Sequence, residues 1–363
     1  MKKLLMSLVC LFALVALVAC GQTNEEQKPE NPDNGGTTTP TEATYKLGMG
    51  IVVAEEGEAS NGALLVSSTV AAVVTDKDGK IVACRIDALQ NKIKVEEGEA
   101  VSNNTTSKAE LGENYNMSKY GASMDWNGDG KVLEWYLQAQ AFENFVKGMT
   151  ATEVAAMTTQ KLESGYVISD NEDLLKAGCT IQIDEFKAAI AKACADEFAV
   201  EFKTAKEFKL GVAINGELNE KDTTAEVAAL YSEYACTVVV EDKIVATLND
   251  AIQPKLGFTA AGELGELEFK GTKRELKEEY NMAKYGQSMD WNGDGKVLEW
   301  YVQSAEFSKF ITGMTAAEVT AMTTQKLESG YVISDNADLL KAGCTIQITG
   351  MKAVVVDAVT NAR

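Results

Sequence analysis

A long segment of this chain occurs twice, and the repetition limits what the chain can fold into. The run YNMSKYGASMDWNGDGKVLEWY from Tyr115 returns as YNMAKYGQSMDWNGDGKVLEWY from Tyr280. The repeated unit is much longer than the 20 to 50 residues of a solenoid repeat. The sequence therefore predicts two tandem copies of one domain, at residues 44–198 and 199–363.

Each copy has the same predicted order of strands and helices. Runs rich in Val, Ile and Thr predict three strands, which in the first copy cover residues 45–53, 63–75 and 80–86. Apolar residues at helical spacing then predict helices, at residues 132–146, 153–157 and 186–194. Thr150 or Thr152 can cap the second helix, and the acidic pair Asp184-Glu185 suits the start of the third. We expect the α+β class, with an antiparallel sheet covered by helices on one side in each copy.

The first 43 residues have the pattern of an export signal and a tether. Lys2 and Lys3 precede an apolar run that is short for a membrane span and ends at Ala19-Cys20. This order resembles the lipobox of bacterial lipoproteins, which implies a signal peptide at residues 1–19 and lipidation of Cys20. Residues 20–43 are polar and proline-rich, so they predict a disordered tether. The protein is then anchored by lipid to the extracytoplasmic face of the cell membrane.

Composition excludes several classes of function. The formal charge of -20 repels nucleic acid, so no nucleic-acid partner is expected. The chain has no histidine, which excludes c-type haem, histidine-ligated copper or zinc, and Ser-His-Asp catalysis. Beyond Cys20 five cysteines remain and none forms a Cys-x-x-Cys pair, so buried free thiols are expected rather than a disulfide framework.

The segment DLLKAGCTIQI, at residues 173–183 and again at 338–348, contains a turn of small residues. Gly178 lets the backbone turn tightly or approach a ligand. Thr180 then offers a hydroxyl just ahead of a predicted helix start, where free N–H groups favour a phosphate.

These turns resemble the Asp-x-x-Ser-Gly-Ala-Thr turn of the covalent FMN-binding domain family. In that family a flavin transferase joins FMN through its phosphate to the hydroxyl of the last threonine. The resemblance implies two covalent FMN groups per chain, on Thr180 and Thr345. The other residues that it places at the cofactor are Gly178, Gly343, Cys179, Cys344, Asp173 and Asp338. The chain departs from the pattern, because Ala and Cys replace Ser and Ala and each aspartate lies one residue further from its threonine.

The wider sequence resembles two-domain flavinylated surface lipoproteins of Gram-positive bacteria, which pass electrons out of the cell. The resemblance includes the lipobox, the tether, the DKDGKI hairpin and the EWY helix. It therefore covers nearly the whole mature chain. It implies an electron carrier rather than an enzyme with its own substrate. The implied partners are a flavin transferase, a membrane quinol-oxidising donor and an extracellular electron acceptor.

An acidic loop in each copy matches the first half of an EF-hand calcium loop. The candidate ligands are Asp125, Asn127, Asp129, Asp290, Asn292 and Asp294. The twelfth position, which should be acidic, is Tyr136 in one copy and Tyr301 in the other. A solvated turn leading into the next helix is the alternative.

The tryptophans divide into two groups. Trp135 and Trp300 lie at helical spacing and are expected in the core, whereas Trp126 and Trp291 lie inside the acidic loops. The loop tryptophans could stack on a flavin, meet a partner or simply pack.

Two alternatives to the flavin carrier remain. One is a structural or ligand-binding surface lipoprotein with calcium-binding acidic loops and no flavin. The other is non-covalent binding of a flavin or a quinone.

Overall fold

Long antiparallel strands form the centre of each half. The computed structural model describes residues 42–59, 63–96, 99–102, 105–219, 223–224, 226–259 and 263–363. The strands, in chain order, are β1 (Ala43–Ala59), β2 (Ala63–Thr75), β3 (Ile81–Glu96), β4 (Glu99–Ser102), β5 (Thr159–Lys161), β6 (Val167–Ser169), β7 (Val200–Thr204), β8 (Lys209–Leu218), β9 (Val227–Val240), β10 (Lys243–Ile252), β11 (Lys255–Phe258), β12 (Leu264–Glu268), β13 (Thr324–Lys326) and β14 (Val332–Ser334). The predicted signal peptide, Cys20 and most of the tether lie outside the described residues.

Helices follow the first strands in each half. They are α1 (Lys108–Leu111), α2 (Gly121–Met124), α3 (Trp135–Phe145), α4 (Ala151–Ala155), α5 (Glu172–Lys176), α6 (Asp184–Cys194), α7 (Lys273–Leu276), α8 (Gly286–Met289), α9 (Trp300–Ile311), α10 (Ala316–Ala321), α11 (Ala337–Lys341) and α12 (Thr349–Thr360). Short 3-10 helices cover Gly112–Tyr115, Met117–Tyr120, Lys277–Tyr280 and Met282–Tyr285. Thr150 caps α4 in a capping box with Glu153, which is one of the two caps predicted from the sequence.

The two sheets have related but unequal topologies. The first has the strand order β4-β3-β2-β1-β7, with antiparallel neighbours throughout. In the second, β9 pairs with β8 along one edge and with β10 and then β11 along the other. Strand β3 is continuous, whereas its counterpart is divided between β10 and β11 at Pro254. Proline has no N–H to donate to a sheet, which explains the interruption.

The sheets and helices stack in four layers. The inner faces of the sheets pack against each other in a shared apolar core, which includes Leu47, Val70, Leu89, Leu210, Tyr234 and Leu248. Helices α6 and α3 cover the outer face of the first sheet, and α12 and α9 cover the second. The structure thus confirms a mixed α and β fold with antiparallel sheets.

The two halves form one compact unit from Thr41 to Arg363. Strand β7, which lies beyond residue 198, pairs with β1 and so belongs to the first sheet. The division into two domains at residues 198 and 199 stays a prediction.

A buried ion pair joins the halves beside the shared core. The guanidinium of Arg274 lies 2.8 Å from the Asp196 carboxylate, and both side chains are only 6% exposed. Asp196 also accepts the backbone N–H of Met49 at 3.0 Å. Asp196 therefore satisfies a charge from one half and a strand N–H from the other.

Replacing Asp196 by Ala should destabilise the fold strongly. The change leaves the buried Arg274 without its partner, which costs about 3–5 kcal/mol for pairs of this kind. Urea unfolding followed by circular dichroism measures the loss. The control is Lys77→Ala, which breaks an exposed ion pair with Asp78 and should change stability by less than about 1 kcal/mol. Equal losses of unfolding free energy in the two variants would contradict a stabilising role for the Asp196–Arg274 pair.

A second buried carboxylate makes stability depend on pH. Glu143 of α3 accepts the N–H of Ile86 at 2.8 Å and the guanidinium of Arg363 at 2.7 Å. Burial raises the pKa of Glu143 from 4.5 to about 7, and the charge of Arg85 opposes this increase. Because the folded protein holds the proton more tightly than the unfolded chain, this contribution to stability is full below pH 4.5 and is lost as the pH rises to about 7.

Glu143→Gln should therefore flatten part of the pH profile. The difference between the unfolding free energies of wild type and variant is expected to change by on the order of 2 kcal/mol across that window. Urea unfolding at a series of pH values measures it. A difference that does not vary with pH would show that Glu143 does not titrate there.

Candidate functional site

The repeated small-residue turn follows a short helix in each half. Asn171 caps α5 through its side chain, and the helix ends at Lys176. Gly178 then adopts a φ of +97°, and Gly343 a φ of +96°, a region that favours glycine. The sequence did not predict α5 or α11, since five residues carry too little periodicity. The turn consequently joins two helices.

The threonine of each turn is buried and bonded to a glutamine. Thr180 is 3% exposed, and its N–H and hydroxyl donate to Oε1 of Gln138 at 2.7 and 3.1 Å. Thr345 makes the same bonds to Gln303 at 2.7 and 3.2 Å. Helix α6 begins only at Asp184, so the Thr180 hydroxyl is held by α3. The predicted helix start after the threonine is present, and the binding of a phosphate there stays a prediction.

A leucine covers the glycine of each turn. A Cβ added to Gly178 would lie 2.3 Å from Cδ1 of Leu133, and one at Gly343 would lie 2.4 Å from Leu298. Both leucines are 39% exposed. The backbone oxygen of Leu133 also accepts the amide of Gln138 at 2.7 Å. Leu133, Gln138 and Thr180 therefore form one connected group.

The other residues proposed for the cofactor face elsewhere. Cys179 and Cys344 are fully buried in the cores beneath the helices, and burial raises the pKa of each thiol to about 12. Asp173 and Asp338 are exposed on α5 and α11. The five cysteines of the described residues are all free thiols.

A cleft with aromatic walls lies next to the first turn. Its volume is about 330 Å³, within the range of small-molecule sites. The two residues after Thr180, Ile181 and Gln182, form part of its wall. The aromatic lining consists of Tyr115, Tyr120, Trp135, Tyr166 and Phe186.

Polar groups of both charges also line this cleft. The ammonium of Lys108 lies 5.4 Å from the ring centres of Tyr115 and of Trp135. On the floor, Thr69 donates to the Glu185 carboxylate at 2.6 Å. Aromatic faces with a few fixed polar groups suit a flat, partly polar ring.

Sequence reasoning missed most of these residues. Trp135 lies in the core as predicted, since it is 4% exposed, and it also lines the cleft. The loop residue Trp126 is half-buried and is not part of the cleft wall. The signal that could have found the cleft is the pair of identical YNM and KYG motifs, which place tyrosines at equal positions in both copies.

The acidic loops are held by their own hydrogen bonds. The Asp125 carboxylate accepts the N–H groups of Gly128, Asp129 and Gly130, and Asp290 accepts the equivalent groups in the second half. Glu134, the nearest acid to the missing twelfth ligand, accepts the N–H of Met117 at 3.0 Å. Within the described ranges no three His, Cys, Asp or Glu side chains gather as a metal site. Calcium binding stays a prediction.

Comparison of the chain with family models, curated proteins and solved structures gave no match in any of the three. In the part of the chain that the structure describes, no helix has the length and apolar character of a membrane span. The resemblance to FMN-binding domains therefore rests on the residues already quoted.

Replacing Gly178 by Ala tests the strain in the turn. The positive φ should cost about 1–3 kcal/mol of unfolding free energy, because an L-residue adopts that conformation poorly. Gly121→Ala is the matched control, since Gly121 has a φ of -49° and no atom within 4 Å of an added Cβ. The control should be neutral or slightly stabilising. Thermal unfolding measures both variants, and equal effects would contradict the expected strain.

Proposed function

We propose that this chain is a lipid-anchored extracytoplasmic electron carrier, built from two tandem FMN-binding-type domains with FMN on Thr180 and Thr345. The observation that carries the proposal is the position of the first turn. Thr180 is followed directly by Ile181 and Gln182, which wall a cleft of about 330 Å³ lined by aromatic side chains. A flavin tied to this threonine would have a ring site within reach.

The residues of the cleft fit a flavin. Trp135 and the cleft tyrosines offer faces against which a flat ring packs. Lys108 supplies a positive charge that favours the extra negative charge of a reduced ring. When bound, FMN would supply one- and two-electron transfer; the chain would provide its orientation and its potential.

Attachment requires the buried hydroxyl to become accessible. Thr180 must release Gln138 before its oxygen can bond to phosphorus. Leu133 is the covering side chain best able to move, since it is 39% exposed. The threonine oxygen would form a phosphoester with the flavin phosphate while the phosphoanhydride P–O bond of a flavin dinucleotide held by the transferase breaks; the nucleoside monophosphate leaves, and the hydroxyl proton passes to solvent or to the transferase.

The location and partners follow from the sequence. Cys20 would hold the chain to the membrane, and residues 20–43 would let the folded part reach a quinol-oxidising donor. An organic cofactor suits a chain without histidine, because the common haem and copper ligands are missing. Covalent linkage would keep the flavin from diffusing away, so that the reduced carrier could deliver electrons to an extracellular acceptor.

Co-expression with a flavin transferase tests the attachment. We expect the intact mass to rise by two FMN phosphoesters in wild type, by one in Thr180→Ala or Thr345→Ala, and by none in the double variant. Thr152→Ala, at an exposed position on α4, is the control and should keep both groups.

Two results would overturn the proposal. One is no mass gain in folded wild-type protein, which would favour the calcium-binding or structural lipoprotein. The other is a gain that persists in the double variant, which would place the flavin elsewhere.

A further inference from the structure

The strand registers show which residues of the two halves correspond. Thr69 of β2 pairs with Ala88, and Glu233 of β9 pairs with Ala251. The two alanines occupy the same place in the related segments KIVACRIDALQNK and KIVATLNDAIQPK. Glu233 therefore stands where Thr69 stands in the first half. Two residues earlier on the same face of the strand, Tyr231 stands in the place of Ser67.

A carboxylate lies at the corresponding place in both halves, but it comes from different elements. In the first half it is Glu185 of α6, which accepts from Thr69 at 2.6 Å. In the second half Gly350 of α12 takes the place of Glu185, and a Cβ there would lie 1.7 Å from Oε2 of Glu233. The strand residue Glu233 thus fills the space left by the missing helix side chain.

Tyr231 makes the second site different from the first. Its hydroxyl donates to Glu233 at 2.8 Å, and its ring centre lies 4.7 Å from the ammonium of Lys273. Lys273 also lies over the rings of Tyr280 and Trp300, at 4.9 and 5.2 Å. It is 6% exposed.

The corresponding residues of the first half leave an opening. Lys108 is half-buried and lies against two rings, those of Tyr115 and Trp135. Lys108, Thr69 and Glu185 all face the cleft of about 330 Å³. In the second half the Tyr231 ring contacts both the lysine and the carboxylate. The first half has the small, buried Ser67 at that place, and its lysine and carboxylate face the cleft instead.

We propose that the two halves seat a flavin ring unequally: the first half has an open cleft for the ring, and Tyr231 closes the corresponding site in the second half. The inference rests on the proposed function, because it takes the bound ring to be a flavin. A flavin on Thr180 would be enclosed by the protein, and one on Thr345 would stay in contact with solvent. The enclosed ring is the one whose potential the protein can set, through Lys108 and the aromatic walls.

Titration with lumiflavin, the flavin ring without its phosphate chain, tests the inference on the full chain made without a transferase. Fluorescence should show saturation at one ring per chain in wild type, two in Tyr231→Ser and none in Ser67→Tyr. Tyr231→Phe is the matched control, because it keeps the ring that closes the site; it should still bind one. Wild type that binds two rings or none, or folded Tyr231→Ser that binds only one, would overturn the inference.

A second measurement does not depend on the folding of cleft variants. Each single-threonine variant, loaded with one FMN, is titrated with iodide, which quenches exposed flavin. The flavin on Thr180 should be quenched about threefold less than that on Thr345, since clefts of this kind bury most of a ligand's surface. Equal quenching would overturn the inference. If the chain takes up no covalent FMN but still binds one lumiflavin, only the proposed function is overturned.

Discussion

The structure depends on the apolar contact between the two sheets. Leu47 and Val70 of one sheet pack with Leu210 and Leu248 of the other. Each sheet therefore has a single face left for its own helices. A cofactor cannot lie between the sheets, so each candidate site must form on an outer face. Two flavins at such sites would be separated by more than the roughly 10 Å spacing of stacked sheets.

Much of the fold was predictable because its signals are local. A run rich in Val and Thr placed β2 correctly, and a threonine cap indicated α4, which begins two residues earlier than predicted. Chain segments without a local signal were missed. Helix α5 has five residues, and its apolar pair Leu174-Leu175 is equally consistent with a loop that covers the core. The break at Pro254 has a sequence signal, since a proline inside a strand pattern argues against a continuous strand.

The candidate site was predictable only in its turn. Glycine at a positive φ followed by threonine is visible in eleven letters of sequence, and the turn has that geometry. Gln138 lies 42 residues away along the chain, and its role depends on the packing of α3 against the turn. The cleft draws on two strands, two 3-10 helices and three α-helices, so no local pattern describes it. A fully buried glutamine among apolar helix residues, present in both copies, was the available signal.

Identity of the repeated segments does not make the two sites identical. The turn and the aromatic motifs come from the nearly unchanged part of the repeat, whereas the floor comes from strands and helices that have diverged. The two floors differ at two positions: Ser67 corresponds to Tyr231, and Glu185 corresponds to Gly350. These differences alter the space around the carboxylate, which is present in both halves. Because a cofactor's environment depends on the walls around its ring, the diverged floor determines how the halves differ. The chain therefore has two nearly identical turns above two floors that differ in shape.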